Sequence, residues 1–454
     1  MGDLEGDVGV VDVSDLRSMM QVLRERGLLL DIAKEVDPVG ELGAVLRACE
    51  RVGKAALFQR VKGHTIPVIG GVLGSHTNIA LALGCRQEEI HGRLEASLRD
   101  PIGPERISGQ AVAQEVIVRE GVSLMSLPVP THAPLDVGPF INAGVVIARD
   151  PETGRHNLSF NRMQVYGDTL AGLNMSAWRD IREFHRKALT QELNLQFCVA
   201  IGVDPAIMLA AAFRYDGDEY EIAGSIRQHP VPVVKAVTND ILVPASAEIV
   251  LEGEIIRGET HLEGPMAEFT GHYSGQAPQA VARIKAITHR KSPVFQTIAG
   301  ASFEHLNLGN AVTREPLLAS ALWRISPRIR DVHLPPYGSG FTAIISMDNP
   351  DPGEPETVGI AALASHVNVK MVILVDADVD VYDPNDVMWA LSTRVRWGDA
   401  PIIVPGALGN ELDPSSNADG VQGKAIIVAV LGPERSERYT KVRYPVIDLA
   451  TYLE

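Results

Sequence analysis

Three textures follow one another along this 454-residue chain. Up to about residue 111, stretches with apolar residues three and four apart alternate with short apolar runs, which is the pattern of helices and strands in turn. "SDLRSMMQVLRERG" predicts a helix with Ser14 as its N-cap and a stop at Gly27. "LLLDIAKEV" predicts a strand, "ELGAVLRACERVG" a helix, "ALFQRV" and "PVIGGVL" strands, and "RQEEIHGRLEASLRD" a helix that ends before Pro101. Together these read as a small α/β unit.

From residue 112 the apolar runs shorten and alternate. "QEVIVRE", "INAGVVIARD", "LSFNRMQVYG", "QFCVAIGVD", "VVKAVTNDILVP", "AEIVLEGEII" and "VARIKAITHR" are strand-like and separated by Gly, Pro and Asn turns. Two helices interrupt them, at 177–191 and about 205–213. So many strands at this spacing suggest a barrel-like β core. Beyond about residue 310 the α/β texture returns, with a helix in "ETVGIAALASHV", a strand in "KMVILVDADVDV", a helix in "DPNDVMWALSTRV" and a strand in "PIIVPGA". Asp383 is the expected N-cap of that second helix, with Pro384 at its first position. The stretch 406–423 reads as one long loop.

Composition narrows the possible partners. The chain is 45% hydrophobic and 22% charged, a globular profile. Its net charge of −16 argues against nucleic acid or an anionic membrane surface, both of which call for a basic face. Cys49, Cys85 and Cys198 are far apart and form no CxxC, so neither a zinc knuckle nor a disulfide framework is expected. The N-terminal "MGDLEGDVGVVDVSDLRSMM" is acidic and lacks the apolar core of a signal peptide. No apolar run is long enough to span a membrane, so the expected compartment is the cytoplasm.

Four stretches carry candidate chemistry. In "LEGPMAEFTG" (262–271), Glu263 and Glu268 flank a Gly-Pro that continues neither helix nor strand. Two nearby carboxylates with different pKa values can act as acid and base; the same pair also fits an exposed hairpin. In "NLSFNRMQVYG" (157–167), Asn157, Ser159 and Asn161 share one strand face, with Leu158, Phe160 and Arg162 on the other. Arg162 either snorkels or meets a carboxylate or phosphate. In "FRYDGDEYEIAG" (213–224), Asp216, Asp218, Glu219 and Glu221 suit a hard cation or form a solvated acidic loop. "DADVDVYDPND" (376–386) fails as a calcium loop, because Val381 and Val387 stand where glycine and glutamate are required. Dinucleotide-binding GxGxxG, GxxxxGK[ST], GxSxG and HExxH signatures are all missing.

Taken together, "NRMQVYG" (161–167), "DEYEIAG" (218–224), "VPASAEIVLEGEI" (243–255), "LEGPMAEFTGHYS" (262–274) and "NDVMWALSTR" (385–394) resemble the UbiD family of reversible decarboxylases, which use prenylated FMN. The resemblance covers most of the chain. It implies an N-terminal α/β domain (1–111), a central split β-barrel that binds the flavin (112–305) and a C-terminal α/β dimerisation domain (306–454). The implied reaction is non-oxidative decarboxylation of an α,β-unsaturated or (hetero)aromatic carboxylic acid through a covalent adduct with the prenylated FMN.

The family sets an arginine and two glutamates over the reactive face of the flavin, and Arg162, Glu263 and Glu268 match them. On this basis Arg162 is expected to keep Glu263 ionised, while Glu268 faces substrate and delivers the proton. The family also holds the cofactor phosphate through Mn²⁺ or Mg²⁺, with Asn, His and Glu ligands and a nearby K⁺. Asn157 and Glu219 match two of the ligands, but the histidine position falls on or beside Asp180. Asp180 either replaces the histidine as an oxygen ligand or is simply an acid in the first turn of a helix. His185, the nearest histidine, shares a face with Ile181, Phe184 and Ala188 and is expected to pack inward. Lys370 and Arg394 match basic residues near the phosphate. A prenyl-FMN synthase would supply the cofactor, and a homodimer is expected. Two other readings stay open: a non-catalytic flavin-binding subunit of a multi-subunit carboxylase, and a plain FMN reductase on a similar barrel.

Overall fold

The computed structural model of the chain describes residues 13–431 except 177, 178, 399 and 418, and also 440–442, 444, 445, 447 and 452. The acidic first twelve residues, on which the signal-peptide expectation rests, lie outside the described residues.

The first helix, Leu16–Glu25, is capped by Asp15 rather than Ser14. The Asp15 carboxylate accepts from Ser18 N at 2.8 Å, and Ser18 Oγ accepts from Asp15 N at 3.0 Å. Asp15 wins because this reciprocal capping box satisfies two otherwise orphaned N–H groups. Behind the helix lies a four-stranded sheet of Leu29–Ile32, Ala55–Phe58, Val68–Gly70 and Phe295–Thr297. The last strand returns from far along the chain, so the N-terminal layer is not closed by residues 1–111. A further helix, His76–Leu83, was not anticipated. Its "HTNIALAL" is nearly apolar all round, so it carries no amphipathic stripe to read.

The central layer is a nine-stranded antiparallel sheet. Two long strands, Ile249–Glu263 and Ala277–His289, run through it and are bent by register shifts at Glu252/Gly253 and Ile255/Thr260. Such bulges twist and curl a sheet toward a half-barrel. The helix expected at 205–213 is Pro205–Ala212, capped by Asp204; the one expected at 177–191 begins at Asp180 and ends at Thr190. The acidic segment at 213–224 is not a loop. Asp218 accepts from Tyr220 N at 3.0 Å and starts the helix Glu219–Arg227.

The C-terminal layer is a five-stranded sheet. Thr342–Met347, Met371–Asp376 and Val421–Ala429 are parallel, and Ile329–His333 and Ile402–Leu408 form antiparallel edges. Helix Pro384–Arg394 starts as expected, with the Asp383 side chain accepting from Asn385 N. The expected 406–423 loop is trimmed at both ends by strands Ile402–Leu408 and Val421–Ala429, and the Asn410, Asp413 and Asn417 side chains accept from Leu412 N, Ser415 N and Val421 N. The three cysteines are buried free thiols. Among the described residues no helix is long and apolar enough to cross a membrane.

Candidate active site

Strand Ile249–Glu263 pairs with Ala277–His289 to its last residue, with Glu263 opposite Ala277. The chain then leaves the sheet through Gly264-Pro265. Gly264 has φ +88°, and a Cβ there would stand 2.6 Å from the Gly275 carbonyl oxygen, so only glycine fits. The turn is tied down on several sides. Gly264 N donates to Gln164 Oε1 (3.1 Å), Ala267 N to Asp136 Oδ1 (2.8 Å) and Glu268 N to His272 O (2.8 Å). As a result Glu263 and Glu268 are only 1% and 6% exposed.

Both glutamates converge on Arg162, which sits between strands His156–Phe160 and Met163–Val165. Arg162 Nε donates to Glu263 Oε1 at 2.6 Å, and Nη1 donates to Glu268 Oε1. Asn174 Nδ2 donates to the other Glu263 oxygen at 3.1 Å. The sequence reading paired Arg162 with Glu263 alone and left Glu268 to substrate. In the structure one guanidinium holds both, because its planar fork offers donors along two edges. His305 lies close enough to feel the Arg162 charge; burial first, then that charge, pushes its pKa down to about 4, so it is neutral. Its Nδ1 is enclosed without a partner.

Asn157 and Glu219 also come together. Asn157 Nδ2 donates to Glu219 Oε1 at 2.9 Å, and Leu158 N to Oε2 at 2.8 Å. Burial pushes the Glu219 pKa up to about 8, against the pull of the Leu158 N–H. Asp180 is near enough for its charge to act on Glu219, but its Oδ2 accepts from Arg155 Nη2 at 2.7 Å. It also sits at the first position of its helix, where an acid is favoured. His185 is half-buried on that helix, with Nε2 enclosed.

Sequence reasoning missed the cations beside Glu219. Arg314 feels the charge of Arg179, Arg179 feels Glu219, Asp180 and Arg214, and His366 feels Arg314, Lys424 and Arg214. Arg179 and Arg314 keep part of their surface open, yet the protein around them is dense enough to lower both pKa values, that of Arg314 to about 9. Arg314 donates to Asn310 Oδ1, and among the described residues neither arginine is ion-paired to a carboxylate within bonding distance. One signal was available: Arg179 is the neighbour of the position where the resemblance places a histidine.

Lys370 and Arg394 end up apart. Lys370 precedes strand Met371–Asp376 and Arg394 binds Asp376 at its far end (2.7 Å), about 20 Å away by strand rise. Arg394 is buried between Asp376 and Asp378 over the Trp389 ring, so it is not brought to the site. Lys370 pairs with Asp413 at 2.7 Å and lines a cleft of about 460 Å³ with Thr270, His272, Tyr337, Phe341 and Asp413. This cleft adjoins the Glu268 turn.

A half-barrel sheet between two α/β layers, with an Arg–Glu–Glu cluster at the sheet edge, defines a three-layer carboxy-lyase architecture. The chain belongs to the UbiD family. Its residues 20–98, 105–302 and 308–429 match the N-terminal, Rift-related and C-terminal domains of 3-octaprenyl-4-hydroxybenzoate carboxy-lyase. It is 33% identical to an anhydromevalonate phosphate decarboxylase of Methanothermobacter thermautotrophicus, covering 94% of this chain and 99% of that one. It is likewise 33% identical to a phenolic acid decarboxylase of Escherichia coli O157:H7, covering 96% and 95%. Among solved structures, the UbiD-class enzyme HmfF from Pelotomaculum thermopropionicum in complex with FMN superposes with a TM-score of 0.94 at 38% identity, covering 97% of this chain and all of that one. An evolved dimeric form of HmfF has been solved in complex with prFMN.

Proposed function

We propose that this carboxy-lyase removes CO₂ from an α,β-unsaturated or (hetero)aromatic carboxylic acid, with prenylated FMN bound beside Arg162. The observation that carries the reading is the buried Arg162–Glu263–Glu268 cluster. Buried charges are costly and persist where they serve chemistry or specificity. A plain flavin reductase gives these three side chains no task.

The residues around the cluster suit a flavin. Asn157, on the strand that leads into Arg162, binds Glu219, and the charge of Arg179 reaches Glu219, which suits an anionic group of the flavin. When bound, the modified flavin supplies the electron sink for the pair released as CO₂ leaves. The protein's own groups do the rest. Phe269 and Phe341, with ring centres 5.7 Å apart, offer apolar faces near the cleft for a conjugated substrate. Its carboxylate competes with Glu268 for the Nη edge of Arg162, while Glu263 stays on Nε and fixes the guanidinium. Glu268, released from its cation, takes up a proton from solvent through the adjoining cleft. It then hands that proton from its carboxyl oxygen to the carbon that CO₂ has left.

The direct test is coexpression with a prenyl-FMN synthase, followed by the absorption spectrum and H/D exchange on a panel of decarboxylated aromatic and acrylic products. A characteristic flavin spectrum with exchange on at least one conjugated product is expected. A protein that binds no modified flavin and exchanges nothing overturns the reading.

A further inference from the structure

Arg162 holds two glutamates, but their hydrogen bonds differ. Glu263 is engaged through both oxygens: Oε1 accepts from Arg162 Nε at 2.6 Å, and Oε2 accepts from Asn174 Nδ2 at 3.1 Å. Glu268 accepts from Arg162 Nη1 through Oε1, and among the described residues no hydrogen bond reaches its Oε2. The asymmetry between two otherwise similar buried carboxyl groups lies in one amide.

Asn174 is fixed in place by its backbone. It follows strand Leu170–Leu173, whose Leu173 stands opposite Met163. Asn174 N donates to Arg162 O at 3.1 Å, and Asn174 O accepts from Asn161 Nδ2 at 2.8 Å. Its N–H and C=O are thus both tied to the segment that carries Arg162. The side-chain amide nitrogen carries only donors, as does Arg162 Nε. A proton on either Glu263 oxygen would displace one of these bonds, at a residue only 1% exposed, where an unmet donor is costly. Turning the amide over would set Oδ1 against Oε2 and call for a proton between them, which the adjacent guanidinium charge opposes. Glu268 can take a proton on Oε2 without breaking any of these bonds.

We propose that Asn174 is a positioning residue that assigns the proton: by donating to Glu263 it keeps that carboxyl free of protons and leaves Glu268 as the acid. The inference rests on the reaction proposed above and deepens it. Asn174 acts through Glu263, not on the substrate. Other titratable groups surround the cluster. Burial, then the Glu263 charge, pushes Tyr166 up to about 12, and burial, then the Arg162 charge, pushes His305 down to about 4, so both stay neutral across about pH 5–9. Asp136 is spent on the N–H groups of Ala133 and Ala267. His272 lines the cleft and is common to every variant below.

The test records H/D exchange against pD for the full chain loaded with prenylated FMN, with FMN titrated separately by fluorescence. Wild type is expected to lose exchange through one basic limb, the deprotonation of Glu268. Asn174→Leu removes the donor, so the two glutamates share the proton. Its limb is expected to rise by about half a pH unit and its plateau to fall about two- to fivefold. Asn174→Asp is isosteric and puts an acceptor against Glu263 Oε2, which draws the proton between two carboxylates. Its limb is expected to rise by about one pH unit or more and its plateau to fall about tenfold. The FMN Kd should stay within about twofold of wild type in both. A limb that stays put in both variants, whatever their turnover, or a loss of FMN affinity in both, makes the role structural and overturns the inference while the flavin reading stands. Wild type that exchanges no conjugated product overturns the flavin reading and the inference with it.

Discussion

Two arginine centres, one between strands of the central sheet and one at the starts of two helices, differ in their charge surroundings. Around Arg162 one guanidinium meets two buried carboxylates, and the amide of Asn174 completes the set. Beside Glu219, whose pKa burial raises to about 8, Arg314 feels the charge of Arg179, and Arg179 feels those of Glu219, Asp180 and Arg214. The first centre has its hydrogen bonds met within the protein. In the second, among the described residues, Arg314 donates to the Asn310 amide oxygen and neither Arg179 nor Arg314 is hydrogen-bonded to a carboxylate. In the proposed function the first serves positioning and proton transfer and the second lies toward the anionic end of the flavin.

The largest expected effect comes from emptying the balanced centre. Arg162→Met leaves Glu263 and Glu268 facing each other with no cation. The protein should lose H/D exchange activity and about 3–5 kcal/mol of stability in urea unfolding, the usual cost of orphaning a buried charge. Stability equal to wild type would mean the cluster is far better solvated than its burial implies. Glu268→Gln keeps the shape and removes the acid. Its turnover should fall by about a hundredfold or more while FMN affinity stays unchanged; near-wild-type turnover would assign the proton to another group.

The unbalanced centre should respond with the opposite sign. Arg314→Met removes half of a like-charge pair, so the flavin-free protein should gain about 1 kcal/mol in the same unfolding experiment, while FMN binding weakens by about tenfold. Lost stability in the flavin-free variant would show that Arg314 is already neutralised within the protein. The smallest effects fall on the cations matched by resemblance alone. Lys370→Met and Arg394→Lys should each shift the FMN Kd by no more than about twofold, because Lys370 is spent on Asp413 and Arg394 on Asp376 and Asp378.

Legibility tracked how local each signal was. The helix from Pro384 was readable because Asp383-Pro384 carries its own start signal. The pattern at 213–224 reads as a cation site or an acidic loop and hides the helix from Glu219, although Asp218 offers the same kind of cap, because a run of acids dominates it. Helix His76–Leu83 escaped because burial on all sides leaves no period to detect. Strand Phe295–Thr297 could be read as a strand-like run at most; its membership of the N-terminal sheet depends on a contact across most of the chain.

The sequence by itself determined the order of textures, the Gly-Pro turn with its two glutamates, and the candidates Arg162, Asn157 and Glu219, because each lies in a short segment whose spacing carries the information. Only the tertiary structure decided that Arg162 holds both glutamates, that Asp180 is taken by Arg155, and that Arg394, at the end of its helix, is paired with Asp376. Only the fold, too, brings Arg179 and Arg314 into one field. Charge balance is a property of what surrounds a side chain in space. Residues more than a hundred positions apart are neighbours there, and no local spacing records it.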